Sequence, residues 1–202
     1  MKEHYFSQTP QSESRPRELD VEVGGVRLLL MTDRGVFSKD AVDYGSRLLI
    51  ETFVPPEIDG PLLDIGCGYG VIGLAVAKRY PNRSLVMADI NERAVRLSDF
   101  NARQNGVEAD VYQSNLYENV TGHFAAILSN PPIRAGKKVV HDLFAGARDR
   151  LLPGGELWVV IQKKQGAPSA LKKLQELYGD AEIVERSKGY HILRAVKGAD
   201  SE

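Results

Sequence analysis

From Pro61 onward, short apolar runs alternate with longer stretches whose apolar residues recur at helical spacing. That alternation predicts an α/β sheet with crossover helices. Strands are expected at Leu62–Ile65, Ser84–Ala88, Asp110–Gln113, Phe124–Ser129, Gly155–Gln162, Ala181–Arg186 and Tyr190–Val196, and helices near Gly70–Tyr80, Glu92–Gln104, Val139–Leu151 and Ser169–Leu177. Ser187-Lys188-Gly189 alone separates the last two strands, which is too short for a parallel crossover. They must form an antiparallel hairpin at one end of the sheet. The predicted core is a seven-stranded, mostly parallel sheet with one antiparallel strand and helices on both faces.

Upstream the pattern changes. Leu19 to Val23 alternates apolar and polar, Gly24-Gly25 tolerates positive φ, and Val26 to Met31 is a second apolar run, which reads as a β-hairpin. Asp40 to Phe53 places Val42, Leu48, Leu49 and Phe53 at helical spacing, with Ser38 or Asp40 as N-cap and Pro55-Pro56 as the stop. The segment through Arg17 is polar and is expected to be a locally ordered tail. Residues 1–60 thus form an N-terminal extension on a core of residues 61–202, a single domain overall.

Composition narrows the class. The 202 residues are 43% apolar and 26% charged, ordinary values for a globular chain with a sizeable core. One cysteine, Cys67, allows no internal disulfide and no cysteine-based metal site, and the four histidines lack ligand spacing, so no metal is expected. The apolar runs are strand-sized and the first 19 residues lack a signal-like apolar segment, which points to a cytoplasmic protein without a membrane span. The formal charge of −1 hides an asymmetry: residues 1–130 sum to −5 and residues 131–202 to +4.

Candidate chemistry sits at two strand ends. Asp64-Ile65-Gly66-Cys67-Gly68-Tyr69-Gly70 joins a strand to a helix through a glycine-rich turn, where open α/β sheets bind ligands. Gly68-x-Gly70-x-x-Gly73 also fits the dinucleotide fingerprint, but Gly66 is the glycine that directly follows the strand, and the in-register third position is Val71. A carboxylate at Asp64 would repel a pyrophosphate and attract an ammonium or sulfonium group. Asp89 ends the next strand, where an acidic side chain accepts ribose hydroxyls.

The second strand end is Asn130-Pro131-Pro132-Ile133, after the apolar run Phe124–Leu128. Two prolines remove two backbone donors and leave carbonyl acceptors. Such a stretch wants an NH₂ group, which could donate to the Asn130 side-chain oxygen and the Pro131 carbonyl while its lone pair faces an electrophilic methyl. Proximity and orientation then carry the reaction, and no dedicated base is identifiable.

These residues resemble class I S-adenosylmethionine-dependent methyltransferases with an Asn-Pro-Pro-aromatic motif. More particularly the chain is similar to the RsmC-like and YbxB-like ribosomal RNA guanine-N2 methyltransferase small-domain family. Beyond the two motifs, the likeness rests on His4-Tyr5-Phe6 with Pro10, Gly35-Val36-Phe37-Ser38 followed by Asp43-x-Gly45-Ser46, Ser114-Asn115-Leu116, and Leu152-x-Pro-Gly-Gly155. The resemblance implies a Rossmann-like methyltransferase fold and S-adenosyl-L-methionine as cofactor. It implies that Asp64, Gly66, Cys67 and Gly68 border the methionine moiety, Asp89 the ribose and Ile90 the adenine. Asn115 and Leu116 would lie near the adenine amine, Phe37 at the mouth, and Asn130, Pro131 and Pro132 at the target amine.

Two departures from the family stand out. Ile133 replaces the usual aromatic ring, so base stacking must weaken or come from elsewhere, with Phe37 and Tyr190 as candidates. The larger RsmC proteins also carry a duplicated N-terminal half, for which a sequence of 202 residues is not expected to have room. Ribosomal RNA or the small ribosomal subunit is the implied partner, for a monomer or weak homodimer. Ile133, Arg134, Lys137, Lys138 and Tyr190 are the candidate substrate contacts, with a flipped-out base as the pose. The same amine chemistry on protein glutamine or on adenine, or a non-catalytic cofactor-binding module, stays open at this stage.

Overall fold

The structure is a computed structural model that describes residues 8–36 and 41–199. The N-terminal hairpin forms from β1 (Arg17–Val23) and β2 (Val26–Thr32), paired antiparallel across Gly24-Gly25. Both turn glycines have positive φ, as a two-residue hairpin turn requires. Helix α1 (Tyr44–Thr52) follows. Its N-cap is Asp43, whose carboxylate accepts the Ser46 N–H at 3.2 Å. This corrects the expected caps, Ser38 and Asp40, which lie outside the described residues together with Phe37.

The core then runs β3 (Leu62–Ile65), α2 (Val71–Arg79), β4 (Leu85–Asp89), α3 (Glu92–Gln104), β5 (Ala109–Gln113), β6 (Phe124–Ser129), α4 (Lys137–Arg150), β7 (Leu151–Gln162), α5 (Ala167–Tyr178), β8 (Asp180–Ser187) and β9 (Tyr190–Val196). The sheet order is β5-β4-β3-β6-β7-β9-β8, and β9 alone runs against its neighbours. Every expected element is present: β3, β6, β9 and α3 have the expected bounds, and the others differ by up to four residues. The two largest shifts are in α1, which starts at Tyr44 rather than Asp40, and in β7, which starts at Leu151 rather than Gly155. Its register on β6 jumps between Phe124 and Ala126, so Pro153-Gly154 forms a bulge inside the strand instead of a turn before it. Gly155 is required there, since a Cβ would stand 2.8 Å from the Leu152 carbonyl oxygen and 3.0 Å from that of Phe124.

Strand alternation sends successive residues of β3 to opposite faces. Leu62 joins a core with the hairpin, α1, α2 and α3, built around Leu28, Leu30, Phe53 and Trp158. Leu63 and Ile65 join the other, with α4 and α5 around Phe124, Phe144 and Leu174. Phe53 meets Trp158 edge-on at 5.3 Å. The hairpin is fixed to α3 by polar contacts as well. The Asn101 and Asn105 side chains each accept from and donate to the β2 backbone, at Met31 and Leu29.

The expected tail is tied down from Gln8 onward. The Gln8 carbonyl accepts the Glu92 N–H at 3.0 Å, and Arg93 donates to the Ser12 hydroxyl and carbonyl. Buried Asp33 accepts from the Ser14 hydroxyl and from the N–H groups of Arg15 and Arg34. Burial works against the Asp33 charge, but these donors and nearby Arg93 outweigh it and hold the carboxyl below its usual range.

Candidate functional site

The carboxyl ends of β3, β4 and β6 open into one cleft with a cavity volume of about 170 Å³. Its floor is the Gly66–Gly70 loop. Gly66, Gly68 and Gly70 all have positive φ, which lets the chain turn three times between β3 and α2 without Cβ clashes. The Gly66 and Cys67 N–H groups both donate to the Ala88 carbonyl, which ties the loop to β4. Helix α2 starts at Val71 with no side-chain cap, so its amino end, the positive pole of the helix dipole, borders the cleft.

Asp64 lies beneath this loop, 1% exposed. Its Oδ2 accepts the Gly73 N–H at 2.8 Å, while Oδ1 is buried without a partner. Burial pushes the carboxyl up to about 7, against the Gly73 donor and with the help of the nearby Asp89 charge. A Cβ on Gly73 would stand 3.1 Å from both Cβ and Oδ2 of Asp64 and 3.0 Å from the Met87 sulfur. That close helix-to-strand approach accounts for Gly73, and it is the role the third glycine also has in the dinucleotide fingerprint, so Gly73 does not by itself separate the two ligand readings.

Asp89 spans two loops. Its Oδ2 accepts the Gly68 N–H and its Oδ1 the Asn91 N–H, both at 2.8 Å. Burial raises it to about 6, with the Asn91, Gly68 and Ile90 N–H groups pulling the other way. Cys67 lines the cleft with its thiol 3.3 Å from the Ser98 hydroxyl, and burial together with the two aspartates pushes that thiol well up. Two buried carboxylates and a helix amino end make a site suited to a zwitterion or a cation flanked by polar groups.

The opposite wall is the Asn130 loop. Asn130 Nδ2 donates to Asp43 Oδ2 at 3.3 Å and to Ser46 Oγ at 3.1 Å. A carboxylate is an acceptor only, so the amide must turn its NH₂ toward α1, which leaves Oδ1 as the free acceptor. Pro132, at φ −76° and ψ 75°, is the centre of an inverse γ-turn closed by the Ile133 N–H on the Pro131 carbonyl at 2.9 Å. One lone pair of that carbonyl is therefore used and the other remains.

The cleft brings together Gly66, Cys67, Gly68, Asp89, Ile90, Asn115, Leu116, Asn130 and Pro132 from the expected set. Leu116 adopts φ +51°, unusual for a branched apolar residue. Asp64 and Pro131 are buried behind the lining. Ile133 packs toward the α4–α5 core rather than into the cleft. Arg134, Lys137 and Lys138 are exposed on the turn after Pro132 and the first turn of α4, where Lys138 pairs with Asp142 at 2.7 Å. Tyr190 stands outside the cleft against Gly45. Asp43, Ser46, Val36, Tyr69 and Ser114 line the site without having been candidates for it. For Asp43 and Ser46 the available signal was the Asp-x-x-Ser spacing of an N-cap.

No helix among the described residues is long and apolar enough to cross a membrane, and no cluster of three metal-ligating side chains occurs among them. The sheet order, with its single reversed strand, and the paired aspartates beside a glycine loop define an S-adenosylmethionine-binding methyltransferase fold. The Methyltransferase small domain family matches residues 27–194, and the chain belongs to that family. It is 50% identical over 200 residues to YbxB of Bacillus subtilis (strain 168), covering 98% of this chain and all of that one. Ribosomal RNA small subunit methyltransferase C of Enterobacter sp. (strain 638) is 37% identical over 173 residues, 84% of this chain and 49% of that protein. Among solved structures, the T. thermophilus 16S rRNA N2 G1207 methyltransferase (RsmC), in complex with AdoMet and guanosine, superposes with a TM-score of 0.79 at 25% identity, covering 93% of this chain and 52% of the other. The chain spans about half the length of these methyltransferase C relatives.

Proposed function

We propose that this protein transfers the methyl group of S-adenosylmethionine to the exocyclic N2 amine of a guanine in small-subunit ribosomal RNA, acting in the cytoplasm. The orientation of Asn130 carries the reading. Its Nδ2 is held by Asp43 and Ser46, so its Oδ1 and the free lone pair of Pro131 offer two acceptors to one planar NH₂. Two of the relatives add the substrate class: the Enterobacter methyltransferase C is named for small-subunit ribosomal RNA, and the solved T. thermophilus enzyme for a guanine N2 of 16S rRNA.

The donor set fits the cofactor. Asp64 has an orphaned oxygen, and both aspartates are raised by burial with no cation to offset it, which is the environment a sulfonium and an ammonium relieve. Asp89 and Ile90 would hold the adenosyl end, Asn115 and Leu116 the adenine edge, and the amino end of α2 the carboxylate. The bound cofactor supplies an electrophilic methyl that needs no further activation. Asn130 and Pro131 then fix the amine, aim its lone pair and hold reacting atoms at near-attack distance, worth several of the ~7–11 kcal/mol available from orientation. Asp64 acts through its field, sealed beneath the loop. Residues 1–60 are read as an extension of the core, through which α1 supplies the side chains that orient Asn130.

The test is transfer of labelled methyl from S-adenosylmethionine to stripped small ribosomal subunits, followed by separate ribonuclease and protease digestion. Label released by ribonuclease and recovered as N2-methylguanosine supports the reading. Label retained in protein, or recovered as methyladenosine, overturns it.

A further inference from the structure

A second constellation stands on the carboxyl edge of the sheet, beside the Asn130 wall. Tyr190 opens β9 opposite Gln162, whose side-chain NH₂ donates to the Tyr190 hydroxyl at 2.6 Å. The Tyr190 ring closes on Gly45, where a Cβ would come within 2.8 Å of it. Gly45 sits between Asp43 and Ser46, the two residues that hold Asn130. The Tyr44 ring lies 5.5 Å from Tyr190, and its hydroxyl shares a 2.6 Å hydrogen bond with Ser187. The Lys188 ammonium stands 4.8 Å from the centre of the Tyr44 ring.

The β8–β9 turn is rigidly placed. The Lys163 N–H donates to the Gly189 carbonyl at 2.8 Å, which binds the turn to the end of β7. Lys188 and Gly189 both have positive φ, the geometry of a two-residue hairpin turn, in which lysine is an uncommon choice at the first position. Exposed Lys163, Lys164 and Arg186 stand on either side of the turn. Glu185, the exposed carboxylate next to Arg186 in sequence, accepts the Arg186 N–H.

The register gives the reach. Ser129 pairs with Val159, and Tyr190 with Gln162 three residues further along β7. The Tyr190 backbone therefore rises about 10 Å beyond the level of Ser129, and two strand spacings of ~4.8 Å separate β6 from β9. That is the span of one to two nucleotides of an extended strand. Half-buried, fixed aromatic rings beside several cations are the elements of a single-strand platform: rings take base faces and cations take phosphates. Ile133, turned into the core, supplies no such ring.

We infer that Tyr44, Tyr190 and Lys188, flanked by Lys163, Lys164 and Arg186, form the docking lip for the single-stranded RNA that adjoins the methylated nucleotide. The inference rests on the RNA reading above. Stacking on the tyrosine pair holds the flanking base while the target base enters the cleft, and Lys188 contacts the intervening phosphate.

Two variants test it, Lys188→Gln at the exposed turn and Tyr190→Leu in the platform, each assayed for KM and kcat with stripped small-subunit ribosomal RNA. Binding of S-adenosylhomocysteine, followed by thermal shift, reports that the fold and cleft are intact. Tyr190→Leu should raise KM about tenfold, the loss of one base stack, with kcat within about twofold. Lys188→Gln should lower the salt slope of RNA binding by about 0.7, the value for one phosphate on a single strand. Unchanged KM in Tyr190→Leu and an unchanged slope in Lys188→Gln, with wild type still methylating RNA, overturn the lip alone. A wild type that methylates no RNA overturns the RNA reading and the lip with it. If Tyr190→Leu loses S-adenosylhomocysteine binding, the Lys188→Gln slope decides.

Discussion

The two sides of the Asn130 loop, the enclosed cleft and the open surface beyond it, use opposite physics. On the β3–β4 side, charge is buried: Asp64 and Asp89 are locked by backbone N–H groups and raised by desolvation to about 7 and about 6. On the β6–β9 side, charge is exposed and positive, carried by Arg134, Lys137, Lys138 and the lysines near the β8–β9 turn. Buried anions favour a small cationic ligand that can be wholly enclosed, and they act at short range in low dielectric. Exposed cations favour a polyanion that cannot be enclosed, and salt screens them. Asn130 stands between, on a neutral loop whose acceptors are set by hydrogen bonds.

If the neutral loop governs chemistry and neither side does, Asn130→Ala should show the largest effect. Methyl transfer to stripped ribosomal subunits is expected to fall about 10²- to 10³-fold, the usual scale for one positioned polar group, while calorimetric cofactor affinity stays within about threefold. A matched loss of affinity would show that the two sides are not separable at this residue.

The buried side makes an opposite pair of demands. Asp64→Asn keeps an acceptor for Gly73 but removes the charge, so cofactor affinity should drop on the order of tenfold or more. The same substitution should raise the stability of the ligand-free protein by at least about 1 kcal/mol in urea unfolding, since one pKa unit corresponds to about 1.4 kcal/mol. Loss of stability without loss of affinity would contradict a field role for Asp64.

Acidity separates the two sides without mutation. Asp64 and Asp89 have folded values near 7 and 6 against an ordinary value of 3.8, so between those limits the folded chain binds more protons than the unfolded one. The ligand-free protein should therefore gain stability from these groups as pH falls from about 8 toward 5. Cofactor affinity should weaken over the same interval, because protonation removes the attraction. Melting curves with and without S-adenosylhomocysteine should converge as the pH drops.

Next in size is Asp43→Ala, which removes the acceptor that orients the Asn130 amide. A fall in kcat of about tenfold is expected, with KM for cofactor unchanged and α1 weakened by ~1 kcal/mol through the lost cap. The smallest effect belongs to Lys138→Gln. Its ion pair with Asp142 is exposed on both sides, so folding stability should change by no more than about 0.5 kcal/mol in urea unfolding.

The features legible in the sequence were those written locally. A strand, a glycine turn and a helix start within residues 62–73 gave Asp64 and the loop. Two prolines after an apolar strand gave Asn130, and alternating periodicity gave the sheet and its single reversed strand. Long-range partners were hidden. The grip of Asp43 on Asn130 spans 87 positions, and the ties from Arg93 to Ser12 span 81. Nothing in the polar composition of residues 8–16 announces the donors and acceptors that await them on α3. The β7 start was missed because Pro-Gly-Gly reads as a turn, whereas the fold absorbs it as a bulge in a strand paired on both sides.

Cys67 gives the molecule a built-in clock. It is the chain's single cysteine, 6% exposed, with its thiol pushed far from the reactive thiolate form. Alkylation must therefore wait for the glycine loop to lift, and the rate of labelling counts those openings. With cofactor seated over the loop, the count should slow in proportion to occupancy, so a single mass-spectrometric time course reads how often the floor of the site opens.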